Sequence, residues 1–189
     1  MSYRLRLVHE NDLETIRHWR MLPEVTRYMY TDPQITREDQ QAWFARITQS
    51  DRDQAWVIES VDDEGAVTPL GLLSLSDIDR VNRRCSWAYY LGHVATRGTG
   101  LAKPLELSIC AYVFELLGMN KLCCEVLASN DRVVALHEKF GARIEGTLRQ
   151  HIFKNGVYLD VIRMGLLKSD WDALRAQWTY TPIPIEAAT

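Results

Sequence analysis

Apolar and polar residues alternate over positions 4–8, the period of a strand buried on one face. Asn11, three residues ahead of Glu14, then offers a capping-box-like start to a helix whose apolar face is Leu13, Ile16 and Trp19. Positions 23–33 hold two prolines and the cluster Tyr28-Met29-Tyr30, which predicts a loop or short helical turns. A second helix is expected after Thr36, with Ala42, Trp43 and Ile47 as its stripe. Positions 55–60 read as a strand, 62–65 as a turn and 69–77 as the hairpin partner. The next strand, 84–94, is closed by the Gly-bearing segment 97–100.

From Leu101 the stripe Leu101, Leu105, Ile109, Val113, Leu116 predicts a long helix that stops at Gly118. Positions 121–127 form a short apolar strand, and Val133, Leu136, His137 and Phe140 mark a helix ended by Gly141. Strands at 143–153 and 157–167 flank Lys154-Asn155-Gly156, a strong hairpin-turn signal. Ser169, with Asp172 three later, opens a last helix. Residues 1–180 read as one domain, and 181–189, with two prolines nearby, as a flexible tail. The strand–helix–strand step in the middle asks for a parallel pair, while the hairpins on both sides ask for antiparallel ones. The fold class is therefore mixed α/β (α+β), a mostly antiparallel sheet flanked by helices.

Composition narrows the field. The chain has 189 residues, of which 47% are hydrophobic and 25% charged, as in a globular protein. A net charge of −3 argues against a nucleic-acid binder that relies on overall positive charge. The longest apolar stretch, 101–117, is broken by Lys103, Glu106 and Glu115, so no membrane span is expected. No signal peptide precedes the first strand, and a cytoplasmic location is expected. Cys85, Cys110, Cys123 and Cys124 lack metal-site spacing and read as small buried hydrophobes, so no metal is expected.

The chemistry concentrates at Arg97-Gly98-Thr99-Gly100-Leu101-Ala102, where a strand end opens a long helix. Free N–H groups and the positive end of the helix suit a pyrophosphate, although Gly-x-Gly at a helix start also serves as a plain connector. Pro104 lacks an N–H, which is harmless only in the first helical turn, so the helix should begin near Leu101. No Gly-Lys-Ser/Thr follows, and the third glycine of a dinucleotide fingerprint is missing.

This segment and the order of elements resemble the GNAT superfamily of N-acetyltransferases, whose acetyl-CoA signature is Gln/Arg-x-x-Gly-x-Gly/Ala. A second segment of that superfamily, Asn followed at helical distance by Leu-Tyr-x-Lys-x-Gly, appears as Asn130 and then Leu136-His137-Glu138-Lys139-Phe140-Gly141. Within the superfamily, Trp19-Arg20, Glu24-Val25, the stretch Arg27-Tyr28-Met29-Tyr30-Thr31-Asp32 and Lys154-Asn155-Gly156-Val157-Tyr158 are similar to the acetyltransferases of pseudaminic-acid synthesis. The resemblance implies a parallel strand pair at the acetyl-CoA site and direct transfer of acetyl to a UDP-linked 4-amino-4,6-dideoxy sugar. Small-molecule partners are thus expected, with neither nucleic acid nor membrane, and with room for a homo-oligomer. A ribosomal-type protein N-terminal acetyltransferase and an acetyl-CoA-binding module without turnover are the alternatives.

The resemblance also assigns residues. Arg97, Gly98, Thr99, Gly100, Leu101 and Ala102 would hold coenzyme A together with Asn130, which otherwise reads as a helix N-cap. A backbone N–H near Leu91 or Gly92 would polarise the thioester carbonyl. His137 stands where the superfamily has a tyrosine as general acid. A free imidazole titrates near pH 6.5 and could protonate a departing thiolate, though the position also suits a core histidine. Glu125, inside an apolar strand, faces either the cleft, as a base for the amine, or solvent. Ser74 would contact the amine or thiol, or bond its own backbone. Arg27, Met29, Tyr30, Trp43 and Tyr90 are candidates for the acceptor pocket, with core packing the competing role for Trp43 and solvation for Arg27.

Overall fold

A computed structural model describes residues 1–92 and 100–187. Seven strands form one sheet in the order β1-β2-β3-β4-β5-β7-β6. They are β1 (Ser2–Leu7), β2 (Gln54–Val61), β3 (Val67–Asp79), β4 (Arg84–Leu91), β5 (Lys121–Leu127), β6 (Arg143–Lys154) and β7 (Val157–Leu167). Every neighbouring pair is antiparallel except β4–β5, which is parallel. The mixed fold with one parallel pair is thus the observed architecture.

Side chains alternate across the sheet and divide the core in two. On one face α1 (Leu13–Met21), α2 (Pro23–Thr26) and α3 (Arg37–Thr48) pack Leu13, Ile16 and Trp19 against Ala55, Val57 and Leu72. On the other, α4 (Ala102–Ala111), α5 (Asp131–Lys139) and α6 (Lys168–Leu174) cover the larger cluster around Trp56, Leu73, Leu75, Leu105, Ile109 and Trp171. All four cysteines are free and buried, and desolvation raises each thiol, Cys85 and Cys124 to about 12.

Several local expectations shift. Asp12 rather than Asn11 is the N-cap residue of α1; its carboxylate is turned back to accept the His9 N–H at 2.8 Å, at the start of the 3-10 turn Glu10–Asp12 that precedes the helix. Thr36 caps α3 as a capping box with Asp39. The long helix is α-helical only to Ala111; Tyr112–Leu116 widens to a π-helical turn, in which the Leu117 N–H reaches the Tyr112 carbonyl. α6 starts at Lys168 after Leu167, with no side-chain cap from Ser169.

The tail expected to be free is instead docked as far as Glu186. The Leu5 N–H donates to the Pro184 carbonyl at 2.8 Å, the Glu186 N–H to the Leu5 carbonyl at 2.9 Å, and the Trp56 indole N–H to the Glu186 carbonyl at 2.8 Å. The tail satisfies backbone groups along the open edge of β1, and Ile183 is buried in the larger core. Replacing Ile183 with Ala should therefore cost about 2–5 kcal/mol, read as a lowered midpoint in urea unfolding. A midpoint unchanged from wild type would show that the tail contributes nothing to the core.

Candidate active site

β4 and β5 pair over only three positions, Arg84↔Lys121, Cys85↔Leu122 and Ser86↔Cys123. Beyond them each strand keeps its outer partner: β4 stays with β3 as far as Leu91, and β5 with β7 as far as Leu127. The sheet therefore opens between Trp87 on one side and Cys124 on the other. Backbone groups that a continuous sheet would pair are left facing this opening.

The Gly92 N–H does not face it, because it donates to the Leu70 carbonyl at 2.9 Å. In an antiparallel ladder the direction alternates, so Leu91 and Tyr89 turn their N–H groups away from β3 and towards β5. The Leu91 N–H is thus turned to the opening, and the Gly92 N–H is not. Gly92 is instead a packing glycine, since a Cβ there would run into the Trp19 indole.

At the same end of the sheet, Gly100 is exposed with φ 82°, Leu101 is the buried N-cap of α4, and Ala102 begins the helix. The first intrahelical bond runs from the Leu105 N–H to the Leu101 carbonyl, which leaves the Ala102 and Lys103 N–H groups without helical acceptors. Arg97, Gly98 and Thr99 lie outside the described residues. Asn130 occupies the N-cap of α5, but its side chain makes no cap hydrogen bond. The side-chain capping role is therefore unfilled.

The other candidates fall on two faces of the opening. Leu122, Cys124 and Val126 of β5 belong to the core under α4 and α5, so Glu125 points to the opposite face. There it accepts a hydrogen bond from the Tyr30 hydroxyl at 2.8 Å and lies 3.7 Å from the Arg163 guanidinium. Burial and the Glu125 carboxylate push the Tyr30 phenol well above its usual range. Ser74 shares this face, its hydroxyl only 3.5 Å from the Ala88 carbonyl. Tyr90 is held by burial in its neutral form, and its hydroxyl has no hydrogen-bond partner among the described residues. The Arg20 guanidinium lies 6.0 Å above the Tyr90 ring and also touches the Met29 sulfur. Trp43 packs into the small core beside α1 rather than lining an opening.

A cleft of about 590 Å³ lies between the segment after α2 and the β6–β7 hairpin, with Arg27, Asp32, Gln34, Leu127 and Ser129 in its wall. Arg27 is exposed, stacked 5.2 Å from the Tyr28 ring. The cleft is organised by Lys154, a residue that sequence reasoning placed only in a turn. Its buried ammonium donates to the Thr26 carbonyl at 2.7 Å and the Met29 carbonyl at 2.9 Å, and pairs with Asp32 at 3.0 Å. Three acceptors match the three donors of an ammonium. Asn155 adds a 2.9 Å bond to Asp32.

On the opposite face His137 is buried on α5, with Nδ1 3.2 Å from Glu106 Oε2 of α4 and its ring 5.3 Å from that of Trp87. Sequence reasoning noted Glu106 only as a break in an apolar stretch. The signal available was its place in the run of buried residues from Leu105 to Cys110, where an ionisable side chain is unusual. Among the described residues no cluster of three or more His, Cys, Asp or Glu could hold a metal, and no helix is long and apolar enough to cross a membrane.

Comparison with known proteins places this geometry. Residues 3–143 match the family model described as an acetyltransferase (GNAT) domain. A putative ribosomal N-acetyltransferase of Bacillus subtilis is 28% identical over 102 residues, 54% of this chain and 55% of that protein, so that match spans about half of the relative's length. A spermidine N(1)-acetyltransferase of Vibrio cholerae is 25% identical over 167 residues, 88% of this chain and 94% of that protein. The crystal structure of spermidine N-acetyltransferase from Vibrio cholerae with CoA and spermine aligns with a TM-score of 0.81 at 25% identity, covering 90% of this chain and 98% of that one.

The Lys154 tie carries a pH prediction. Hydrogen bonds from the Thr26, Asn155 and Lys154 neighbours hold Asp32 down at about 2. A carboxylate lowered on folding stabilises the tied segment above its free value of about 3.9 and loses that effect as pH falls through about 2. Hydrogen exchange of residues 27–35 should accelerate over that window in the wild type. In Asp32→Asn the same amides should exchange faster at neutral pH and show no such acid step. Identical profiles in both proteins would refute the tie.

Proposed function

The chain belongs to the GNAT acetyltransferase family and is an acetyl-CoA-dependent N-acetyltransferase; on that premise we propose that its acceptor is a primary amine on a molecule carrying an anionic group. A UDP-linked 4-amino-4,6-dideoxy sugar is the acceptor of this kind that the chain's own sequence marks suggest. The observation that carries the reading is the charge of the 590 Å³ cleft. Its exposed cation is Arg27, while its carboxylate, Asp32, is already engaged by Lys154 and Asn155. A polyamine needs carboxylates free to meet several positive charges, whereas a diphosphate suits an uncommitted guanidinium.

The reaction needs a neutral amine, a polarised carbonyl, a proton for the leaving thiolate and alignment of both substrates. We assign acetyl-CoA to the opening between β4 and β5, its pyrophosphate to the N–H groups at the start of α4, and its amide-bearing arm to the unpaired strand edges. The Leu91 N–H is the assigned donor to the thioester carbonyl. Glu125, on the acceptor side, takes the amine proton directly or through water, with Tyr30 and Arg163 fixing its carboxylate. His137, on the other side of the sheet, supplies the proton to sulfur. Base and acid on opposite faces of one opening fit a reaction in which the nucleophile enters as the thiolate departs.

The spermidine acetyltransferases among the relatives favour a second reading, a polyamine acceptor. Release of coenzyme A thiol from acetyl-CoA, measured beside the UDP-amino sugar, spermidine and an N-terminal peptide, separates the readings. The sugar nucleotide should turn over fastest. Arg27→Ala should raise its KM about tenfold, one charge-assisted contact, with the acetyl-CoA KM unchanged. Glu125→Gln should lower kcat about 10²-fold. Faster turnover of spermidine, with Arg27→Ala neutral or activating, would reverse the assignment of acceptor charge.

A further inference from the structure

We infer that Glu106 is a positioning residue for acetyl transfer: it fixes the ring of His137 and keeps a proton on Nδ1, so that Nε2 is the nitrogen that protonates the departing thiolate. The inference rests on the acid role assigned to His137 above, and extends it to a residue on a different helix.

Both side chains are withdrawn from water, Glu106 with 3% of its side chain exposed and His137 with 7%. A carboxylate buried for structural reasons alone has both oxygens hydrogen-bonded. Here one oxygen, Oε2, bonds His137 Nδ1, while Oε1 lies 3.0 Å from the same nitrogen without a hydrogen bond to any group among the described residues. His137 is thus the one partner of this carboxylate among the described residues. Glu106 also interrupts the most buried run of α4, where Leu105, Leu107, Ile109 and Cys110 would be served as well by a hydrocarbon. A buried carboxylate kept with a single partner acts on that partner.

The pair lies directly beneath the opening of the sheet. A small cavity of about 10 Å³ is walled by Glu106 and His137 together with Trp87 and Cys124, the first residues of β4 and β5 beyond their last paired positions. The other titratable groups in its wall, Cys110 and Cys124, are thiols that burial raises, which keeps them neutral. Glu106 is therefore the carboxylic acid that faces the imidazole in this cavity.

The step balances as follows. The amine nitrogen forms a bond to the thioester carbon, the C–S bond breaks, and its electron pair goes to sulfur. The Nε2 proton passes to that sulfur, leaving a neutral His137 that still donates from Nδ1 to Glu106. The amine proton leaves through Glu125, and Nε2 is reprotonated from solvent before the next turnover.

Three measurements on the full chain test this. Nitrogen-15 NMR of the histidine ring should show Nδ1 protonated in the wild type, and this readout needs no variant to fold. Glu106→Gln should lower kcat roughly 10- to 100-fold with the acetyl-CoA KM and the melting temperature little changed. The double variant with His137→Phe should be no slower than His137→Phe alone, because the two residues act through one proton. Full kcat in Glu106→Gln with a lowered melting temperature would make the pair merely structural and overturn the inference, as would an unprotonated Nδ1 or losses that multiply. His137→Phe at full rate would overturn the acid role itself. Loss in His137→Phe without loss in Glu106→Gln would remove Glu106 alone.

Discussion

The structure depends on how briefly β4 and β5 pair. A parallel pair three residues long holds the halves of the sheet together at one end and lets them diverge at the other. Each strand can afford the divergence because its outer edge is satisfied, β4 by β3 and β5 by β7. What remains is two facing rows of backbone donors and acceptors that water or a guest must pair. A guest with amides along its length and a charged end fits a slot of this kind, and α4 begins where the charged end would lie. Coenzyme A has that shape, and in the placement proposed above its recognition follows from where a ladder stops more than from any single side chain.

The same divergence separates the chemistry. Strand alternation sends Glu125 to the face covered by α1–α3, while Trp87 and Cys124 line the cavity under α4 and α5 on the other face. Tyr30 reaches Glu125 from a segment that is itself tied to the β6–β7 hairpin through Lys154. The side proposed for the acceptor is thus positioned by contacts between residues more than ninety positions apart, and the side proposed for the leaving group by two helices packed on the sheet.

Local features of this arrangement were legible in the sequence. The 121–127 and 157–167 strands, the Asn155–Gly156 hairpin and the start of α4 just before Pro104 all follow from short-range rules, because turn chemistry and missing N–H groups act within a few residues. The face that Glu125 takes was open from sequence, since alternation says that neighbours diverge but not which side is the core. Lys154 reads as a turn residue until Thr26 and Met29 are brought to it, and the Gly92 N–H reads as free until Leu70 is placed beside it. The tail was misread for the same reason: proline and short length argue for freedom, and only the open edge of β1 shows what the tail has to satisfy.

The acid role proposed for His137 accounts for the carboxylate found on α4. A phenol placed in an apolar wall carries its proton in the neutral form and needs no counter-charge. An imidazole that must deliver a proton becomes cationic first, and a cation in that wall is costly without an anion beside it. Glu106, with Oε2 3.2 Å from His137 Nδ1, is the acid placed beside it, and it would in turn be a costly residue in the core without His137. The two positions therefore constrain each other, thirty-one residues apart in sequence and one hydrogen bond apart in space. Under the acid role proposed for His137, coupling of this kind makes the two side chains one unit, so that neither position can change without the other.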